Sequence, residues 1–318
     1  MTRSRAGKRV ALAAMLGLGT LLLSGCSFAD WPRFGWPAAI TPQGMAMQEF
    51  WSASAIAALA IGVVVWGLMF WAFIVYRKKK GGPVYPKQTK ENLPLEIAYT
   101  VIPFVMVGVL FFFTVKTENY VLERSPNPDV EVSVTAFKWN WDFSYPGTTD
   151  PSTGQEVHTI GTSEEVPILV VPVDKNIEYT LQSRDVIHSF WTIDFLFKRD
   201  VFPDPGANQT ENRFQNTIQY AGAFVGRCAE LCGTYHSAMN FEVRAVPENV
   251  YQAYLTARQT VNPATGLSYT TADALTKAGQ DVPSCGELCA PLATSTYPFT
   301  TNREAKSASE PTAQAGGN

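Results

Sequence analysis

The residues of this chain most able to do chemistry stand together in Cys228-Ala229-Glu230-Leu231-Cys232-Gly233-Thr234-Tyr235-His236-Ser237-Ala238-Met239. Two thiols, an imidazole and a thioether fall within that stretch. Soft sulfur ligands select copper, and imidazole suits it as well. A Cys-x-x-x-Cys pair alone could be a disulfide, but a His and a Met following so closely argue against it. Zinc is the next candidate, yet Met is a poor zinc ligand and no further Cys or His lies nearby. The set lacks a second imidazole, and the chain has only three histidines. His158 lies in a polar stretch and reads as solvent-exposed. His188, in Ser183-Arg184-Asp185-Val186-Ile187-His188-Ser189-Phe190-Trp191, sits among apolar residues at a strand end. Such a histidine is ordinarily a packed core residue; the incomplete ligand set makes His188 the missing partner.

These residues need a scaffold. Short runs rich in β-branched and aromatic residues recur at 130–145, 166–173, 177–182, 187–197, 214–219, 222–227 and 240–246, separated by Pro, Gly and Asp. Val130, Val132 and Val134 alternate with polar neighbours, the period of a half-buried strand. Such strands predict a β-sandwich of about 100 residues or a little more. Gly147–Glu165 is polar and turn-rich and reads as a loop. Residues 248–258 read as a short helix, and the Ser/Thr/Ala/Gly-rich end from about 293 as a mobile tail.

The first 115 residues differ from the rest. Arg3, Arg5, Lys8 and Arg9 precede a short apolar stretch, then Leu23-Ser24-Gly25-Cys26, which resembles the lipobox of bacterial lipoprotein precursors. On that reading residues 1–25 are a signal peptide and Cys26 carries lipid. Trp51 to Tyr76 and Ile97 to Val115 are uncharged runs, and about 20 apolar residues span a bilayer as a helix. Pro103 interrupts the second, which a membrane helix tolerates. Between them lie Arg77, Lys78, Lys79, Lys80, Lys87 and Lys90 against Glu91 and Glu96. By the positive-inside rule this link is cytoplasmic and the C-terminal domain external. The formal net charge of −3 offers no basic footprint for nucleic acid.

The copper loop and the Ser-x-Asp-Val-x-His-Ser-Phe segment before it resemble subunit II of cytochrome c oxidases, over roughly residues 45–247. The resemblance implies an α+β membrane protein, in which an N-terminal two-helix transmembrane hairpin precedes an all-β cupredoxin-like sandwich. Together with the signal and span readings above, it divides the chain into a signal peptide over 1–25, an external segment 26–50, a hairpin over 51–116 with helices about 51–76 and 95–115, a copper domain 117–247 and, outside the resemblance, a C-terminal extension and mobile tail 248–318. It also implies a function: electrons pass from cytochrome c through a dinuclear copper (CuA) centre to the haem of the catalytic subunit, where oxygen is reduced and protons are translocated. Cys228 and Cys232 would bridge two copper ions, His188 and His236 would bind one each, and Met239 and the Glu230 carbonyl would complete the set. The Glu230 carboxylate would share a Mg²⁺ ion with the catalytic subunit.

Trp139, in Phe137-Lys138-Trp139-Asn140-Trp141, matches the residue through which electrons come in, while Trp141 reads as core. The family usually has Tyr where this chain has Asn140. Asp185, and Asp142 more weakly, match acids that dock cytochrome c, although Arg184 stands where the family often has an acid. A membrane-tethered donor in a respiratory supercomplex follows from that departure. Glu96 matches an acid at the mouth of a proton channel; an acid at a helix start is also favoured by the helix dipole. The implied partners are subunits I and III, cytochrome c and the lipid bilayer of the bacterial inner membrane. The chain has no haem-ligation motif. Cys285 and Cys289 remain, and a disulfide suits an oxidising exterior. A nitrous oxide reductase loop lacks the Glu between the cysteines, a quinol oxidase subunit lacks the copper ligands, and a copper assembly factor would carry a simpler, more exposed site.

Overall fold

The computed structural model describes residues 33–296, apart from 83, 86, 87 and 163. The signal segment with Cys26, the link residue Lys87 and the tail from 297 lie outside the described residues.

Two helices are long and apolar enough to cross a membrane, α1 (Pro42–Val75) and α2 (Leu93–Leu122). Both exceed the expected spans. Residues 42–50 carry one charge, Glu49, so nothing stops α1 short of Pro42, and proline is tolerated at a helix start. At ~1.5 Å per residue α1 is far longer than a ~30 Å hydrocarbon core needs. α2 begins with a capping arrangement: Asn92 Oδ1 accepts from Leu95 N at 3.4 Å, and Glu96 Oε1 accepts from Asn92 N at 2.9 Å. The chain divides into two compact units. In the first, which among the described residues holds 33–37 and Trp51–Lys78, Trp36 stacks on Trp51 with ring centroids 5.1 Å apart.

The second unit contains residues 38–50 and the described residues from Lys79 onward. Its body is two five-stranded sheets. One runs β3 (Val157–Ile160), β2 (Asn140–Tyr145), β1 (Val130–Phe137), β5 (Asn176–Ser183) and β8 (Arg213–Thr217). The other runs β4 (Ile168–Pro172), β10 (Asn240–Val246), β9 (Gly222–Cys228), β6 (His188–Thr192) and β7 (Phe197–Val201). β1–β5 and β4–β10 are parallel pairs; the rest are antiparallel. Alternate residues of β2, Trp141 and Phe143, meet Phe241 of β10 at ring distances of 5.1 and 5.6 Å, which closes the sandwich. The Tyr145 hydroxyl donates to Val170 O and accepts from Val170 N, both at 3.0 Å, tying β2 to β4.

Three expectations need correction, and one helix was not foreseen. The run 187–197 is not one strand, because a single 3₁₀ turn at Ile193–Phe195 reverses the chain into β7 and Leu196 takes a left-handed backbone. The polar stretch Gly147–Glu165 is not all loop: β3 pairs with β2, so His158 faces Asp142 rather than open solvent. Helix α3 (Glu248–Arg258) matches the expected span, but a further helix α4 (Thr271–Asp281) follows, capped by Thr270. The tail does not begin at about 293, because residues 290–296 are fastened to β10. The Glu242 carboxylate accepts from Thr294 N at 2.8 Å and Ser295 N at 2.7 Å, while Arg244 donates to the Ala290 and Leu292 carbonyls. Cys285 and Cys289 are bonded to each other and pack against Gly279 of α4.

Candidate metal centre

Three loops at one end of the sandwich build the site. The first joins β9 to β10 and carries both cysteines, His236 and Met239. It is pinned by Cys228 N donating to Met239 O at 3.1 Å and by a 3₁₀ turn at His236–Ala238. The second, 184–187, joins β5 to β6 and delivers His188. Because β6 pairs with β9, Phe190 opposite Cys228, His188 arrives beside the first cysteine. The third is the tight turn Lys138–Trp139 between β1 and β2.

The soft atoms converge. Cys228 Sγ and Cys232 Sγ are 3.8 Å apart, far beyond the ~2.05 Å of a disulfide, and both cysteines are free. His188 Nδ1 lies 3.8 Å from Cys228 Sγ, and His236 Nδ1 lies 3.6 Å from Cys232 Sγ. Met239 Sδ is 3.9 Å from Cys232 Sγ, and the Glu230 carbonyl is 3.3 Å from Cys228 Sγ. Each sulfur therefore has an imidazole nitrogen and one weaker donor beside it. The ligand atoms of His188, Cys228 and Cys232 all lie within 4.8 Å of one another. This donor set fits copper, since thiolate, thioether and imidazole are its preferred ligands.

The surroundings orient the ligands. His188 is fully buried, and its Nε2–H donates to Asp185 Oδ1 at 2.8 Å, leaving Nδ1 with its lone pair toward the sulfurs. A carboxylate behind a ligating histidine fixes tautomer and ring orientation. Asp185 also accepts from Lys138 N and Val186 N, each at 2.7 Å. Burial works to raise the Asp185 carboxyl, but the hydrogen bonds from His188, Lys138 N and Val186 N outweigh it, and the net pKa is lowered. Burial holds the His188 imidazole below its ordinary value, against the pull of Asp185. Burial, with Cys228 beside it, pushes the Cys232 thiol up to about 12. The metal-free site thus holds a neutral imidazole and a protonated Cys232, whose proton a bound metal ion would have to displace.

Aromatic residues wall the loop. The Trp141 indole is buried in the core and donates to Met239 O at 3.3 Å, so it also sets the Met239 backbone. The Trp139 indole donates to Cys232 O at 3.2 Å. It lies against Gly233, whose φ of +120° and lack of a side chain both matter: a Cβ there would come within 3.2 Å of the ring. Tyr235 meets Trp139 edge to face with centroids 4.9 Å apart. Asn140 fixes its own turn by accepting from Trp141 N and donating to Thr162 O.

The chain is 44% identical to the probable cytochrome c oxidase subunit 2 of Nocardia farcinica (strain IFM 10152), over 98% of this chain and 94% of that one. It belongs to the cytochrome c oxidase subunit II family. The subunit 2 of Mycobacterium tuberculosis (strain ATCC 25618 / H37Rv) is 41% identical over 94% of this chain and 91% of its own. The family model described as cytochrome C oxidase subunit II, periplasmic domain, matches residues 131–246. The periplasmic domain of subunit II of the oxidase of Bradyrhizobium japonicum aligns at 26% identity over 42% of this chain and 95% of that one. Its TM-score of 0.34 is too low to bear on the fold, which rests on the sheets themselves. Subunit II is a component of the oxidase complex and a membrane protein with a periplasmic domain, as the resemblance implied.

The other expected site residues fall into place unevenly. Asp142 is a correction: its side chain is 3% exposed and spent on His158 Nδ1 at 2.9 Å and Arg184 at 3.1 Å, so it offers no charge to a partner. Asp185 keeps 30% of its side chain exposed, but its oxygens point inward at His188 and two backbone amides. Arg184, by contrast, is 61% exposed. Glu96 caps α2 and is remote in sequence from the copper loop. What sequence reasoning missed is the inward role of Asp185, for which the only signal was an acid three residues before the histidine, and the contacts of Tyr235 and Trp141.

Proposed function

We propose that His188, Cys228, Cys232, His236, Met239 and the Glu230 carbonyl hold a dinuclear copper centre that takes electrons from a c-type cytochrome through Trp139. The observation that carries this is the pair of sulfurs 3.8 Å apart, each with its own imidazole nitrogen 3.6 to 3.8 Å away. Bound copper would supply a one-electron couple shared over two ions, whose bonds change little on reduction. The protein's part is to keep that change small. His188 is held by Asp185, Met239 by Trp141, and the loop ends by the β9–β10 ladder. Met239, Cys232 and His188 are buried, which keeps water from reorganising around the charge. Trp139 reaches from the partly exposed turn to the Cys232 carbonyl, a short bonded route from surface to ligand.

The same reading extends to the partners. Subunits I and III accept the α1 and α2 helices in the bacterial inner membrane, with the sandwich on the periplasmic side and Cys26 lipidated. The Glu230 carboxylate shares Mg²⁺ with the catalytic subunit, which supplies the haem. Glu96 stands at the cytoplasmic mouth of a proton channel while capping its helix. The donor is a membrane-tethered cytochrome, a reading supported by Asp142 being buried, Asp185 turned inward and Arg184 exposed, so that neither acid matched to docking is free for a soluble lysine-rich one.

The test is the external domain, from about residue 117, loaded with copper. Two coppers per chain with a seven-line mixed-valence EPR pattern, lost in Cys228→Ser, is the expected result. A single-copper signal, or no uptake, would refute the dinuclear reading.

A further inference from the structure

We infer that Gln215 is a positioning residue for the electron's exit, because it locks the link between α2 and the sandwich into a rigid strut. The chain itself then fixes where the copper loop stands relative to α2. The inference rests on the reading of that loop as the copper centre. The link is Glu123-Arg124-Ser125-Pro126-Asn127-Pro128-Asp129, between the end of α2 and the start of β1. Two prolines stiffen it, since the proline ring fixes φ. Gln215 of β8, 4% exposed, does the rest. Its Oε1 accepts from Ser125 N at 2.8 Å and Asn176 Nδ2 at 2.9 Å, and its Nε2 donates to Ser125 O at 2.8 Å and Glu178 Oε2 at 2.9 Å. A primary amide has two donors and one oxygen with two lone pairs. All are spent, and two of the bonds grip the backbone of one exposed link residue, Ser125, on both its N–H and its carbonyl. The link is tied again on either side. Arg124 reaches Glu211 at 3.1 Å and Glu178 at 3.6 Å. Asp129 N donates to Asn176 O at 2.9 Å, and Asn176 N donates to Asp129 Oδ2 at 2.8 Å.

The helix end is seated as firmly as the link. Val121 is the buried side chain of α2. With Thr41, Phe195, Phe197, Phe214 and Gln215 it lines a cavity of only about 10 Å³, so the packing there is close. The residues just before α1 join the same region. Ile40 N donates to Asp194 O at 3.2 Å, and Ile40 O accepts from Gln219 N at 2.9 Å. Gly44 lies so near the Phe195 carbonyl that a Cβ would come within 2.7 Å of it. α2 therefore meets the sandwich through packed and hydrogen-bonded residues instead of a flexible tether. Copper held on the sandwich must pass its electron to the haem of another subunit, beside which α2 is fixed. Electron transfer falls off steeply with separation. A sandwich that swings on its link would spend time with the copper loop farther from that haem and transfer more slowly on average, with the metal site untouched.

The experiment uses the whole oxidase carrying Gln215→Leu and, separately, the pair Pro126→Gly with Pro128→Gly. Pro126 is exposed and Pro128 half-buried, so the pair loosens the link without stranding a buried polar group. Three quantities are read: the rate of electron transfer from copper to haem after photochemical reduction of the copper site, kcat/KM with the donor cytochrome, and the copper EPR spectrum. Gln215→Leu slows internal transfer about tenfold, the scale on which small misplacements of reacting groups act, and the proline pair slows it in the same direction. The EPR spectrum and kcat/KM stay as in the parent. A loss of stability alone would lower the yield of oxidase and leave the internal rate of each assembled oxidase unchanged. Parent-like internal transfer in Gln215→Leu overturns the inference; if that variant does not assemble, parent-like transfer in the proline pair does so. An altered EPR spectrum in Gln215→Leu also overturns it, by tracing the slowing to the metal. A parent oxidase without the two-copper spectrum refutes the copper reading and this inference with it, whereas a normal parent spectrum with unslowed variants refutes the strut alone.

Discussion

Replacing Asp185 by Ala removes three hydrogen bonds at once, and their consequences separate. The bond from His188 Nε2, 2.8 Å long, is the one that reaches copper. A hydrogen bond to a charged group contributes about 1.5–3 kcal/mol. Losing the carboxylate behind a ligating histidine costs roughly 10–100-fold in metal affinity, which is about 1.4–2.7 kcal/mol. The two scales agree, so Asp185→Ala should weaken copper binding by about thirtyfold. The bonds from Lys138 N and Val186 N, each 2.7 Å, hold the loops together and affect folding instead. Asp185→Asn discriminates. Its one carbonyl oxygen can serve His188 and Val186, but its amide meets the Lys138 N–H donor to donor. That variant should keep most of its copper affinity and lose stability. The assay is chelator competition on the external domain, paired with thermal unfolding of the metal-free form. Because the folded carboxyl sits below its ordinary pKa, its contribution is fully present above about pH 4. It is lost as pH falls through the folded value, so the gap between parent and Asp185→Ala closes in acid. An Asp185→Ala variant within twofold of the parent's copper affinity would refute the reasoning.

Two other consequences can be measured directly. Since the Cys232 thiol is pushed up to about 12, it must surrender a proton when copper binds. The logarithm of apparent copper affinity should therefore rise with pH by at least about one per unit between pH 6.5 and 8.5, and a flat titration would count against it. The fully buried Glu242–Arg244 pair supports the 290–296 segment. Glu242→Gln should cost about 3–5 kcal/mol by leaving a buried guanidinium uncompensated, seen as a fall in Tm of roughly 10 °C; a fall under about 3 °C would refute it. The double change to Leu and Met should not recover this loss, because the amides and carbonyls the pair satisfies would still be stranded.

The candidate ligands could be picked out because they are chemically rare and close together. Cys228, Cys232, His236 and Met239 span one hairpin, and only His188 had to be found by what the loop lacked. The sandwich was legible from alternation, as in Val130, Val132 and Val134. β3 was not, because Val157-His158-Thr159-Ile160 is short and half polar, and only its pairing with β2 makes it a strand. α4 was missed for the complementary reason: Thr271–Asp281 holds one large apolar side chain, Leu275, and buries Ala274 and Ala278 around it. Its apolar stripe is too thin to announce a helix and suffices only because α3 and the Cys285–Cys289 pair pack against it.

The misreading of Asp142 and the burial of the Glu242–Arg244 pair share one cause. In Phe241-Glu242-Val243-Arg244 the alternation is that of a strand with one face in water, and in Trp141-Asp142-Phe143-Ser144 likewise. The inward residues are where alternation puts them, with Trp141, Phe143 and Phe241 meeting across the core. The outward ones are nevertheless buried, Glu242 and Arg244 completely and Asp142 to 3% exposure. Other groups cover the outer faces: the His158 and Arg184 side chains over Asp142 of β2, and the 290–296 segment over β10. Local sequence reports the period of a strand but not how many layers stand above it. A charged residue on an outer face is therefore a docking candidate only once the covering segments are placed. By that criterion Asp185 and Asp142 drop out as docking acids, because they are spent on His188, His158 and Arg184.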